Sequence, residues 1–380
     1  MNPRVLEIEG SLIREVAAQR RPTTIDLGLG EPSLMPNPMH LECAMAYVMK
    51  HGIKYSQNAG DRDLRAAIAH HYAYPSLDRA ENVCVTTGSQ EAMYVAIKTL
   101  LDPDSDEMLV VEPAFPSYAK MARLEGIVAR AVEMNDADDF GIDAERIIAA
   151  LTPKTRAIVI CSPNNPTGRV LHRDEAEKLV RALESRSGGP TWLVHDEIYR
   201  EQTFVNDEAY LAQIYPHTIV TNSVSKSNAL TGLRLGWIIG PEAFIDQAIK
   251  AHAWLTSCAD TFAQQVALSI FRTKDGISEH AGWYAAQHAG VVDALSSSGM
   301  RYLRPEGSFY ACVQLPRGTA SLDGALALLA RRDVLAIPGS AFGACFEGWL
   351  RLSWVAPIDR VREGVKRIAE YVSESACWPG

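Results

Sequence analysis

Short runs rich in Val, Ile and Leu recur along the middle of the chain, separated by stretches in which apolar residues return at helical spacing. The runs predict seven strands: NVCVT (82–86), EMLVVE (107–112), IVARAV (127–132), RAIVIC (156–161), TWLVHD (191–196), TIVTN (218–222) and LGWIIG (235–240). SQEAMYVAIKTLL (89–101), SYAKMARLE (117–125), RDEAEKLVRALESR (173–186) and the long stretch from Pro241 to about Arg272 predict helices between them. Strand alternating with helix predicts an α/β fold, with a mostly parallel seven-stranded sheet between helices.

The two ends have a different texture. Residues 1–45 form an arm with the turn-rich GLGEPSLMPNP (28–38), expected to contribute to a smaller domain. Residues 46–282 are expected to form the large domain. Residues 283–380 read as a helix, short strands in GSFYACVQL (307–315) and GWLRLSW (348–354), and a closing helix VREGVKRIAEYV (361–372), a smaller α+β domain. No internal repeat or low-complexity tract is present, and SRSGGP (185–190) is short enough to be a loop.

Composition narrows the function. The chain has 380 residues with 47% hydrophobic and 22% charged, enough to bury a large core. Its net charge is −9, from 37 basic and 46 acidic residues with no compensating basic block, so nucleic acid is not an expected partner. No apolar stretch approaches the ~18 to 20 residues of a membrane helix. The start MNPRVLEIEG carries Arg4, Glu7 and Glu9 where a signal peptide would be apolar. A cytoplasmic protein is expected. Seven cysteines, odd in number and mostly within apolar runs, are expected to be buried thiols in a reducing compartment. No cysteine–histidine pattern supports a metal site.

Four segments carry candidate chemistry. In TIVTNSVSKSNALTGLRLGW (218–237), Lys226 follows an apolar strand in a turn crowded with hydroxyls, and Arg234 follows beside Gly232 and Gly236. A desolvated lysine near a cation becomes nucleophilic and can form a Schiff base; a solvated surface lysine is the plainer reading. In TWLVHDEIYRE (191–201), Asp196 ends a strand and Tyr199 lies three residues on. Ligands of open α/β sheets sit beyond the carboxyl ends of strands. There an acid and a phenol suit a pyridoxal ring, although a helix-capping acid with a packed tyrosine would look alike. SPNNPTG (162–168) sets Asn165 in an enforced turn with its amide free for a ligand oxygen. In VCVTTGSQEAMYVAIK (83–98), Gly88 and Ser89 open a helix whose free N–H groups suit a phosphate, with Arg234, Ser223 and Ser225 as further donors.

Taken together, these segments place different parts of one cofactor at one sheet edge. With SLIREV, LGLGEP, YSQNAG, TTGSQEA, EPAFPSY, SPNNPTG, HDEIY, SVSK, TGLRLGW and RLSW in this order, the chain resembles the fold-type I pyridoxal-phosphate aminotransferases of class I/II over nearly its whole length. The resemblance implies pyridoxal 5'-phosphate as cofactor, with Lys226 as the internal-aldimine lysine and proton carrier and Asp196 as partner of the ring nitrogen. Tyr199 and Asn165 look like the pair on the ring oxygen, and Phe115 like the aromatic stacked on the ring. Gly88, Ser89, Gln90, Ser223 and Arg234 are similar to the phosphate group, with Ser225 nearby. Tyr55 resembles a tyrosine that reaches the partner subunit's phosphate, which implies a homodimer. Arg351, opening RLSW, resembles a carboxylate clamp, with Gly30 letting backbone close over that carboxylate.

The implied reaction moves an amino group from an L-amino acid to a 2-oxo acid in two ping-pong half-reactions. Some relatives that prefer acidic side chains carry lysine where Gln90 stands, so a neutral or aromatic amino acid is expected, with 2-oxoglutarate or pyruvate as acceptor. A carbon–sulfur β-lyase, or another eliminating or cyclising enzyme, would share these motifs. A non-catalytic regulator is disfavoured because the match starts within the first ~15 residues and the charge is negative. A dinucleotide site at Gly28-Leu29-Gly30 is disfavoured because the third glycine and the following helix are missing.

Overall fold

A computed structural model describes residues 1–376. In chain order, β1 (Ile25–Asp26) belongs to the arm. The larger sheet then comes from β2 (Val83–Thr86), β3 (Glu107–Glu112), β4 (Val128–Glu133), β5 (Thr155–Cys161), β6 (Trp192–Asp196), β7 (Thr218–Ser223) and β8 (Gly236–Ile239). Its order is β2-β8-β7-β6-β5-β3-β4. The pairs β4–β3, β3–β5, β5–β6 and β6–β7 are parallel, while β8 runs against both β7 and β2. The expected α/β sheet is therefore present, mixed rather than wholly parallel. The reversal has a local cause. Between β7 and β8 the chain holds only two short helical turns, too little for the crossover a parallel neighbour requires.

The central strands β7 and β8 are covered on both faces and buried throughout, as is the edge strand β2, whereas the opposite edge strand β4 buries only Val132 fully. Helices supply the cover by their spacing. The helix Arg173–Glu184 buries Ala176, Leu179, Val180 and Leu183 and leaves its charges outside. The stretch expected as one long helix from Pro241 is two, Glu242–Thr256 and Thr261–Arg272. Ser257 at φ +67° ends the first, and Asp260 caps the second by accepting from the Ala263 N–H.

Beyond β8, β9 (Tyr302–Leu303), β10 (Tyr310–Gln314), β11 (Val334–Leu335), β12 (Ile337–Pro338) and β13 (Trp349–Ser353) complete the strands. The smaller sheet is antiparallel in the order β12-β13-β10-β9, and β11 pairs in parallel with β1 of the arm. In the β10–β13 register Tyr310 faces Ser353 and Cys312 faces Arg351, so all four side chains leave one face of this sheet. Each of their polar tips is engaged outside the sheet. The Ser353 hydroxyl donates to the Leu29 carbonyl at 2.7 Å, the Cys312 thiol donates to the Pro166 carbonyl at 3.1 Å, and Arg351 donates to the Gly28 carbonyl. The arm and the turn after β5 are thus tied to one wall.

Cys84, Cys161 and Cys312 are buried as expected, and Cys258 and Cys345 are half-buried. Cys43 is exposed, because the helix Pro38–His51 turns His40, Ala44 and Val48 inward instead. Cys377 lies outside the described residues. Among the described residues no helix is long and apolar enough to cross a membrane, and no cluster of His, Cys, Asp and Glu could hold a metal ion.

Candidate active site

Strands β2, β3, β5, β6 and β7 all point the same way, so the loops that follow them meet at one edge of the sheet; β8, running the other way, begins there. This topology brings together residues far apart in sequence: Ser89 after β2, Phe115 after β3, Asn165 after β5, Asp196 at the end of β6, Lys226 after β7 and Arg234 before β8. They line one cavity of about 670 Å³, closed on its far side by Ile13, Leu29 and Gly30 of the arm and by Tyr310 and Arg351 of the smaller sheet. An α/β sheet receives ligands at this edge.

Lys226 stands in the short helix Val224–Ser227, which Ser223 caps by accepting from the Ser225 N–H at 3.1 Å. Ser223 accepts in this cap and does not line the cavity, whereas Ser225 does. The Lys226 ammonium donates to the Gly30 carbonyl at 2.7 Å. Burial, and after it the positive charge of Arg351, lowers its pKa to about 8, with Arg234 and Arg14 acting in the same sense against Glu31. At neutral pH a useful fraction is free amine.

Asp196 is buried, and its carboxylate accepts from the Tyr118 hydroxyl at 2.6 Å, the Thr221 hydroxyl at 3.2 Å and the Ile198 N–H at 3.3 Å. Burial nevertheless raises its pKa, because no cation of the protein pairs with it directly. Tyr199 and Asn165 are buried beside it. The Asn165 carbonyl oxygen accepts from Arg351 at 3.0 Å, which leaves the amide nitrogen of that side chain for another partner.

At the Gly88 corner the backbone has φ +83°, and a Cβ there would stand 2.5 Å from the Arg234 guanidinium. Glycine is therefore required twice, for the turn and for the approach of Arg234 to the start of the helix Ser89–Leu100. Gly88 itself does not line the cavity; Ser89, Gln90 and Arg234 do.

Arg351 is 2% exposed, with its guanidinium between the rings of Tyr310 (4.3 Å) and Phe342 (4.9 Å), and its Nε has no hydrogen-bond partner. Gly30 plays a part the sequence reading did not assign to it. A Cβ there would lie 2.0 Å from the Tyr310 hydroxyl, so the glycine makes room for that phenol. Tyr55 stands apart from the cavity and is 89% exposed.

Sequence reasoning missed the support behind Asp196. Glu197, next in the chain, is fully buried, accepts from Arg200 at 2.8 Å and from the Tyr74 hydroxyl, and meets His195 at 3.1 Å. Arg200 in turn lies 3.7 Å above the Tyr210 ring. The charge-dense DEIYR was the available signal, since a buried acid needs a cation nearby. Tyr118 and Tyr310 were also missed.

Residues 22–368 match the aminotransferase class I and II family, and the chain belongs to it. It is 31% identical to a probable N-acetyl-LL-diaminopimelate aminotransferase of Bacillus subtilis, covering 98% of this chain and 95% of that one. It is 30% identical to an aspartate aminotransferase of Pyrococcus horikoshii, covering 96% and 95%. The crystal structure of an aspartate aminotransferase from Thermotoga maritima superposes with a TM-score of 0.90 at 29% identity, covering 98% of this chain and all of that one. The protein is an aminotransferase with the expected fold.

Proposed function

We propose that this cavity holds pyridoxal 5'-phosphate, and that the protein moves an amino group from a neutral or aromatic L-amino acid to a 2-oxo acid in two successive half-reactions. The convergence of Lys226, Asp196 and Arg351 on one cavity carries the reading. The residues suit the cofactor on three further counts. Asp196 is a buried carboxylate lacking a direct cationic partner, as a protonated ring nitrogen would be. The Gly88 turn brings Arg234 against a helix N-terminus, an arrangement that favours phosphate. Arg351 retains a buried N–H without an acceptor, which a substrate carboxylate would satisfy.

When bound, the cofactor would supply an electron-accepting ring linked through the substrate's amino nitrogen to its Cα. Lys226 would be the amine that holds its aldehyde and afterwards carries a proton to and from the substrate Cα. Asp196 would keep the ring nitrogen protonated, Tyr199 and Asn165 would bond the ring oxygen, and Phe115 would cover the ring face. Ser89, Gln90, Ser225 and Arg234 would receive the phosphate. Arg351 holds the α-carboxylate of both substrates in turn, leaving the Cα–H facing Lys226; this favours proton transfer over loss of the carboxylate.

Gln90 at the helix start and the apolar lining by Ile13, Leu29, Met93 and Ile198 support an uncharged substrate side chain, although Arg14 and Glu31 also line the cavity. A homodimer is supported by the exposed apolar residues Met45, Met49, Ile53, Tyr55 and Trp254, on which a second copy would place Tyr55 near the partner's phosphate.

The test is a half-reaction screen. Purified protein loaded with pyridoxal phosphate is mixed with single amino acids, and the visible absorbance and the oxo acid produced are followed. The expected result is stoichiometric conversion, reversed by 2-oxoglutarate or pyruvate. A protein that stays colourless, or that releases ammonia and pyruvate from a cysteine conjugate instead, overturns the proposal.

A further inference from the structure

Tyr310 belongs to none of the motifs and yet touches both halves of the site. It is 3% exposed and lines the cavity from β10. Its hydroxyl oxygen lies 3.3 Å from that of Tyr199, and the two rings meet edge to face at 5.6 Å. Its ring face lies 4.3 Å from the Arg351 guanidinium carbon, a distance at which the cation is attracted to the ring. The space for the hydroxyl exists only because residue 30 has no side chain.

We propose that Tyr310 is a positioning residue that couples the carboxylate clamp to the phenol beside the cofactor, and that Gly30 is glycine to admit it. This rests on the functional reading above. The two contacts do different things. The ring face fixes the plane of Arg351, which together with the bonds to Asn165 and Gly28 sets the direction in which its unpartnered N–H points. The hydroxyl acts on Tyr199. With the cavity as it stands, Tyr199 donates to Tyr310. Once Tyr199 turns its hydrogen to an anionic oxygen in the cavity, its own oxygen is free to accept from Tyr310. A donor that is itself hydrogen-bonded in this way is the stronger one. A less well-stabilised ring oxygen holds its neighbouring proton more tightly, so losing the Tyr310 hydroxyl should move the loaded protein's colour change to higher pH.

Tyr310→Phe keeps the ring and removes the hydroxyl; Tyr310→Leu removes both; Gly30→Ala displaces the hydroxyl. In the loaded protein, Tyr310→Phe is expected to raise the pH midpoint of the visible absorbance by about half a unit or more, with KM for both substrates within about twofold of the parent. Gly30→Ala should shift the midpoint in the same direction, and by less when added to Tyr310→Phe than when made alone. In cofactor-free protein, calorimetry with 3-phenylpropionate as an inert carboxylate should show about tenfold weaker binding for Tyr310→Leu and parental binding for Tyr310→Phe. Melting curves confirm that each variant is folded. An unmoved midpoint in Tyr310→Phe, additive effects with Gly30→Ala, or equal carboxylate binding by Tyr310→Leu and the parent would each overturn the coupling. If the parent protein remains colourless, the functional reading fails, and the calorimetric comparison still decides whether Tyr310 supports Arg351.

Discussion

Lys226 shows at the scale of one residue how function and stability oppose each other. Its pKa is about 8 in the folded chain against an ordinary 10.5, so between those values the unfolded chain binds more protons than the folded one. Stability of the cofactor-free protein therefore rises with pH across that window, and below pH 8 the charged ammonium carries its full cost. That cost is roughly 3 kcal/mol. Lys226→Met, of similar length and without charge, is expected to melt several degrees above the parent at pH 7, with the advantage fading as pH rises from 8 toward 10.5. Calorimetry on the cofactor-free pair checks this, and a variant that melts lower throughout would show that the bond to Gly30 outweighs the desolvation. Lys226, Asp196, Tyr199 and Asn165 could be singled out in the sequence because each sits in a punctuated stretch at or just after a strand end, whereas Arg351, inside β13, was singled out through the family resemblance. Tyr310 was not, because only the pairing of β10 with β13 determines which way GSFYACVQL faces.

At the scale of elements, the corner between β2 and the helix Ser89–Leu100 depends on one backbone conformation. Gly88→Ala places a methyl group against Arg234 in an extended positive-φ conformation that is essentially restricted to glycine, a strain of about 1 to 3 kcal/mol. The expected outcome is at least tenfold faster loss of pyridoxal phosphate on dialysis, with the fold retained by circular dichroism; unaltered retention would remove Arg234 from the phosphate site. The strands of the larger sheet other than β4 were readable because strands buried on both faces appear as largely apolar runs. The helix Pro38–His51 was not called, although Asn37 and Pro38 mark its start and the Asn37 side chain accepts from the Met39 N–H. Its apolar residues lie on both sides, Ala44 and Val48 inward and Met45 and Met49 outward, so no single stripe stands out. The two-residue strands β1, β9, β11 and β12 lack the length for any period to show.

At the scale of the molecule, that outward side of Pro38–His51 gains a purpose in the proposed dimer. Met49→Glu combined with Ile53→Glu sets charges into the exposed apolar surface and is expected to weaken association at least 100-fold, read by sedimentation, with monomers that hold the cofactor less firmly because Tyr55 of the partner subunit is missing. A parent that sediments as a monomer, or a variant that still dimerises, would place the interface elsewhere. Inside the cavity, the buried ammonium of Lys226 is held by its bond to the Gly30 carbonyl. In the proposed reaction, once that amine is committed to a covalent partner the Gly30 oxygen would be left with lone pairs and no donor, able to accept from the hydrogens of an incoming amino acid. On that reading, the acceptor that the chain's own lysine vacates would be the one offered to the arriving nitrogen.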